Sequence, residues 1–188
     1  QISTLGDAQD FGDLSEVKHQ IASFSSPVRA IHYSGYKSAG VFATSVDTHM
    51  IAAKGDAVDF AEPLIPRYGS NALSNSTRGI ICTGQAQAGA PATSYHGYMT
   101  AMNTSSQGTE IFFGTEGDAR QAQSTASTQT RGVFAGGYSP GSGASGVFNT
   151  IDYVTIQTLG DAIDFGDLTA ARGLYGGISD SHGGLGGF

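Results

Sequence analysis

Short apolar runs rich in β-branched and aromatic residues alternate along the whole chain with clusters of Gly, Ser, Thr, Asn and Asp. Such runs, bounded by turn residues, read as strands. Gly173 to Ser179 (Gly-Leu-Tyr-Gly-Gly-Ile-Ser) predicts a first strand. Arg131 to Tyr138 (Arg-Gly-Val-Phe-Ala-Gly-Gly-Tyr) exemplifies a second. Phe148 to Thr158 predicts a third, heavily β-branched. Leu159-Gly160-Asp161-Ala162 carries hairpin chemistry, because Gly tolerates positive φ and Asp bonds its own backbone. Ala162 to Leu168 predicts a fourth strand. No segment combines helical apolar spacing with caps over three turns.

The pattern recurs. Gly6-Asp7-Ala8-Gln9-Asp10-Phe11 returns as Gly55-Asp56-Ala57-Val58-Asp59-Phe60 and as Gly160-Asp161-Ala162-Ile163-Asp164-Phe165. A degenerate copy, Gly108-Thr109-Glu110-Ile111-Phe112-Phe113, lies between the last two. The register is tested by residues not used to find it. Lys18, Arg67, Arg120 and Arg172 each follow the copy's last aromatic by seven residues. Arg29, Arg78 and Arg131 follow it by eighteen. These seven are most of the chain's nine Lys and Arg residues, so they belong to the repeat rather than to a general solubilising surface.

A four-stranded unit of roughly 40–50 residues in tandem is the sequence signature of a β-propeller. The expectation is one all-β domain over residues 1–188, with repeats at about 6–54, 55–107 and 108–159, and a last one at 160–188 plus 1–5. The first residues match the inside of a third strand: Ile2 to Leu5 align with Ile156 to Leu159. The last, His182 to Phe188, match a second strand. The two ends would then share one unit and close a ring of four, removing open sheet edges. A segment of a larger propeller is the alternative.

Composition narrows the function. The net charge is −7, whereas a nucleic-acid partner needs a basic footprint. The same charge disfavours an anionic membrane surface, and no run has the length of a transmembrane helix. The one cysteine, Cys82, excludes an intrachain disulfide framework and a multi-cysteine zinc site. It reads as a small core residue. The five His residues lack metal-ligand spacing. Gly137-Tyr138-Ser139-Pro140-Gly141 matches a hydrolase nucleophile pattern, but it joins two strands instead of a strand and a helix. The series Asp7, Asp10, Asp13 and Asp161, Asp164, Asp167 offers oxygen ligands for calcium. Turn capping and pairing with the repeat bases is the simpler role. No cofactor and no metal are expected.

The unit resembles the Kelch repeat. Gly136-Gly137 stands where Kelch blades end their second strand in a glycine pair. Phe165-x-x-Leu168-x-x-x-Arg172 and Phe11-x-x-Leu14-x-x-x-Lys18 match the aromatic, apolar and basic positions that follow. Phe replaces the Kelch Trp throughout, and the glycine pair is absent from the first two copies. Asp152–Leu168 and Arg131–Gly137 also resemble Kelch-like repeats of bacteriophage and cyanophage tail and fibre proteins. That resemblance implies a non-enzymatic virion component exposed outside the cell. It would contact other virion proteins and a host surface glycan or protein, and a homo-oligomer is compatible with it. The rival readings are a cellular Kelch-type interaction propeller and a polysaccharide lyase or hydrolase at the channel mouth.

In an up-and-down blade the first–second and third–fourth turns share one face. Here these turns are short and uniform. The second–third loops, Tyr33–Gly40, Gln85–Gly97 and Ser139–Gly146, are longer and all different. Function usually sits on loops held by a rigid scaffold. The candidate binding residues are therefore Tyr36, Tyr95, His96, Tyr98 and Tyr138, whose rings combine an apolar face with a polar tip. Lys18, Arg29, Arg67, Arg78, Arg120, Arg131 and Arg172 are read as structural.

Overall fold

The computed structural model describes residues 5–38, 40–86, 97–139 and 146–179, all of them in strands, turns or irregular backbone. Three four-stranded antiparallel sheets follow one another along the chain. Sheet A comprises β1 (Ala22–Ser25), β2 (Arg29–Tyr33), β5 (Val46–Met50) and β6 (Val58–Ala61). The connection between β2 and β5 holds a small hairpin of β3 (Tyr36–Ser38) and β4 (Val41–Phe42). Sheet B comprises β8 (Ala72–Ser74), β9 (Arg78–Ile81), β11 (Tyr98–Asn103) and β12 (Ile111–Thr115). It is flanked by the pair β7 (Arg67–Tyr68) and β10 (Gln85–Ala86). Sheet C comprises β13 (Ser124–Ser127), β14 (Arg131–Ala135), β15 (Thr150–Thr155) and β16 (Ile163–Asp167). Each sheet pairs its strands in chain order.

Local chemistry repeats with the sheets. The turn between first and second strands is closed by a side-chain oxygen that takes the backbone N–H two and three residues on. Ser26 does this for Val28 and Arg29, Asn75 for Thr77 and Arg78, and Thr128 for Thr130 and Arg131. Three residue types thus supply one turn. The third and fourth strands carry a bulge at one position in all three sheets: between Val46 and Asp47, Met99 and Thr100, and Ile151 and Asp152.

One core lies between sheets A and B, containing Phe24, Ile31, Tyr33, Phe60 and Met102. A second lies between sheets B and C, containing Leu73, Ile80, Met99, Phe113 and Phe134. The first strands interlock with the following sheet. Phe24 of β1 lies against Gly79 of β9, and Leu73 of β8 against Gly132 of β14, where a Cβ would collide with either side chain. The Arg-Gly dipeptide opening these second strands is therefore a packing device. Gly79→Val should cost about 1–3 kcal/mol by overpacking, read as a lowered urea midpoint with an unchanged slope.

The first strands are also tied edge to edge. The Ser74 hydroxyl donates to Ser25 O at 2.7 Å and the Ser127 hydroxyl to Ser74 O at 2.7 Å. Before each first strand, one residue with positive φ recurs at the repeat spacing: Gln20, Gly69, Ala122 and Leu174. The N–H groups of Gly69, Ala122 and Leu174 donate to the carbonyls of Gln20, Gly69 and Ala122 respectively. This ladder has four members, one more than there are complete sheets. Residues 173–179, where a strand is expected, form no strand among the described residues. A first strand pairs with a second, and the segment expected to supply it (His182–Phe188) lies outside the described residues. Even so, Ser179 Oγ accepts the N–H of Ser127, and the Arg172 carbonyl accepts from Gly137 as the Arg67 carbonyl does from Gly35. At the other end, Phe11 O and Asp13 O accept from Gly55 and Ala57, as Phe113 O and Thr115 O accept from Gly160 and Ala162. Both flanks thus keep contacts of the repeat without completing a sheet among the described residues.

Candidate functional site

The first row of bases is buried. Lys18 meets Asp47 at 3.0 Å and donates to Ser45 O. Arg67 donates to Thr100 Oγ1 at 2.5 Å and to Tyr98 O at 2.9 Å. Arg120 pairs with Asp152 and donates to Thr150 O. Asp47, Thr100 and Asp152 are the residues displaced by the recurring bulge, and a bulge re-aims a side chain. The base and the bulge therefore form one bracket tying each sheet's entry to its third strand. Arg172, the fourth member, is exposed.

The second row links neighbouring sheets. Arg29 of sheet A donates to Thr104 O and Ser105 O of sheet B. Arg78 of sheet B donates to Ile156 O and Gln157 O of sheet C. Arg131 of sheet C stacks on Tyr153 and Phe165, and among the described residues its guanidinium meets no carbonyl.

Two buried acids interrupt the repeat, and sequence reasoning missed both roles. Glu110, in the degenerate copy, stands where the others have Ala57 and Ala162. Its carboxylate accepts from Tyr33 Oη at 3.0 Å and from Leu64 N at 2.5 Å, and lies 3.6 Å from Arg67. The copy is degenerate because a large polar Tyr33 faces it from sheet A. Glu110→Ala should cost about 1–3 kcal/mol by leaving the Leu64 N–H unpaired and Arg67 without its carboxylate, while Tyr33 Oη keeps Ile65 O as acceptor, although Ala is the repeat's own residue; chemical denaturation would measure it. Glu116 stands where Leu14 and Leu168 stand in other copies. It accepts from Gln123 Nε2 and lies 3.5 Å from Arg120. Burial pushes its carboxyl up to about 7, against the opposing pull of Arg120.

The second–third connections carry an aromatic group. Tyr36 packs against Tyr68 at 5.0 Å between ring centroids, His19 at 5.4 Å and Phe42 at 5.9 Å. Its hydroxyl accepts the Gly40 N–H. Phe42, Tyr68 and His19 were not expected here. The signal was the register: His19 pairs with Tyr36, Tyr68 with Gln85 and Gln121 with Tyr138, all at repeat spacing. Tyr138 stands in the corresponding place above sheet C, well apart in sequence from the Tyr36 group. Tyr98 lies in β11 rather than in a loop, exposed and edge-on to Phe112. Tyr95 and His96 fall outside the described residues, as do most of the Gln85–Gly97 loop and residues 140–145.

A glycine shapes each of these connections. Gly35, Gly84 and Gly137 follow the second strands, and a Cβ on each would sit within 3 Å of the carbonyl of His19, Tyr68 or Gln121. The second position of the pair seen at Gly136-Gly137 is therefore glycine in all three sheets. Only the first varies, as Ser34, Thr83 and Gly136.

The Asp series caps backbone. Asp10 and Asp164 accept the N–H two residues on, and Asp161 accepts from Thr115 N and its hydroxyl. Among the described residues no three His, Cys, Asp or Glu side chains are grouped to hold a metal, and no helix is long and apolar enough to cross a membrane. Cys82 is fully buried, and burial raises its thiol well above the ordinary range. No family model matches the chain, and no curated protein matches it.

Proposed function

We propose that the three sheets are consecutive blades of a Kelch-like β-propeller and that the chain is a non-enzymatic binding module of a virion surface, of the tail or fibre kind. The carrying observation is a difference among equivalent aromatics. Phe60 is 3% exposed and Phe113 2%, each covered by the next sheet, whereas Phe165 is 56% exposed. The uncovered face of sheet C, with Arg131 beside it, fits a fourth unit of the same repeat, begun by the docked segment 172–179.

Rigid sheets bracketed by buried bases leave variation to the second–third connections, where the Tyr36 group lies. This division suits recognition of a host surface glycan or protein. Exchanging residues 87–96, which keeps β10 and Gly97 in place, for a Gly/Ser linker of equal length should abolish adsorption to the host surface while leaving the melting temperature unchanged. Adsorption unaffected by the exchange would overturn the placement of binding on this face. Co-purification of the native chain with virus particles tests the virion assignment.

A further inference from the structure

The face of sheet A turned away from sheet B departs from its equivalents. In the other two sheets the matching face is apolar. Ile81 and Met102 of sheet B lie in the core against sheet A, and Phe134 and Val154 of sheet C in the core against sheet B. The strand register gives the same two positions in sheet A to His32 and His49. Both are half-buried, and Phe11 of the flank packs on the His49 ring at 5.4 Å between centroids. The two histidines are 17 residues apart in the chain. They meet because β2 and β5 pair Ala30 with His49 and His32 with Asp47, which makes them diagonal neighbours on one face.

We propose that His32 and His49 hold one divalent transition-metal ion between them, with water completing its coordination. His32 Nε2 and His49 Nδ1 lie 3.2 Å apart. Two nitrogens that bind Zn²⁺ tetrahedrally at about 2.0–2.1 Å are themselves roughly 3.3 Å apart, so the pair is already set at the spacing of adjacent ligands. His32 Nδ1 lies 2.9 Å from Ser23 Oγ. A hydroxyl accepting from Nδ1 keeps the proton there and leaves the Nε2 lone pair for the metal, the outer partner that metal-bound histidines ordinarily have. In the metal-free protein His49 Nδ1–H donates to that lone pair; on binding, the His49 proton moves to its Nε2 and both lone pairs face the ion. Asp47 and Lys18, the charges that act on His32, are paired with each other at 3.0 Å, so neither opposes a cation alone. The site depends neither on a fourth unit nor on the host-binding reading above.

The test is calorimetric titration of the untagged full chain with Zn²⁺ and with Cu²⁺, each as the chloride. Both should bind, Cu²⁺ the more tightly, as imidazole sites generally rank these ions. His32→Gln and His49→Gln should each weaken Zn²⁺ binding by at least about tenfold, and Ser23→Ala by about tenfold through the lost outer partner. His19→Gln, at an exposed histidine packed edge-on against Tyr36, should leave it unchanged. Electron paramagnetic resonance of the Cu²⁺-loaded parent should show two imidazole nitrogens, and of either glutamine variant one. The parent spectrum decides the matter even where a variant fails to fold: fewer than two nitrogens overturns the proposal. So does the absence of binding by either ion, which would leave the pair a hydrogen bond between two rings. Binding that survives both glutamine substitutions would place the ion elsewhere and overturn it too.

Discussion

Replacing Arg120 by Met should lower stability by about 3–5 kcal/mol, close to what a small domain has to spare. Arg120 is buried between sheets B and C, where its guanidinium faces Asp152 and Glu116 and caps Gly136 O and Thr150 O. Methionine fills much of the same volume, so the loss is electrostatic: one carboxylate fully buried and one half-buried lose their counterion. Lys54→Met, at an exposed base outside both rows, should change stability by less than about 0.5 kcal/mol. Urea midpoints of the two variants would measure the contrast. Similar losses at both positions would contradict the bracket described for the buried bases.

Stability should also fall as pH rises from about 4.5 to about 7, by about 3 kcal/mol attributable to Glu116. Its folded pKa is raised to about 7 from an ordinary 4.5, with burial as the first cause. In that window the unfolded chain has lost the proton while the folded protein keeps it. The folded state thus binds more protons, and raising the pH favours unfolding until the window is passed. Glu116→Gln keeps the hydrogen-bonding shape of the protonated acid and removes the titration. It should match the parent near pH 4.5 and exceed it at pH 8, as urea midpoints at the two values would show. Parallel pH profiles for parent and variant would contradict this. The Arg120→Met loss should in turn be larger at pH 8 than at pH 5, because Glu116 is neutral at the lower pH.

The repeat made much of this legible beforehand. Strand order, the short first–second turns and the two rows of bases follow from residues recurring at fixed spacing, and in the three sheets these bases recur for contacts that the structure contains. Exceptions to the repeat were harder to read. Glu110 and Glu116 look like decay of the pattern, yet each meets a partner peculiar to its interface: Tyr33 for one, Gln123 and Arg120 for the other. Tyr33 and Glu110 lie far apart in the chain, and Gln123, though near Glu116, is not part of the recurring pattern, so the periodicity reveals neither pairing. The glycine pair seemed missing from two units because only its second member is required by close approach to a carbonyl. The candidate binding face was only partly legible: Tyr36 and Tyr138 do flank the second–third connections, but Tyr68 reaches the Tyr36 group from the next unit's entry strand.

The central claim is that a fourth unit of the same repeat covers sheet C. The chain contains no tryptophan, so a single Phe→Trp substitution at residue 60, 113 or 165 reports on its own surroundings. In the native chain, Trp at 165 should emit as far to the blue as Trp at 60 and 113 and resist acrylamide quenching equally well. A red-shifted, freely quenched indole at 165, beside protected ones at 60 and 113, would mean that sheet C ends the stack and would contradict the propeller.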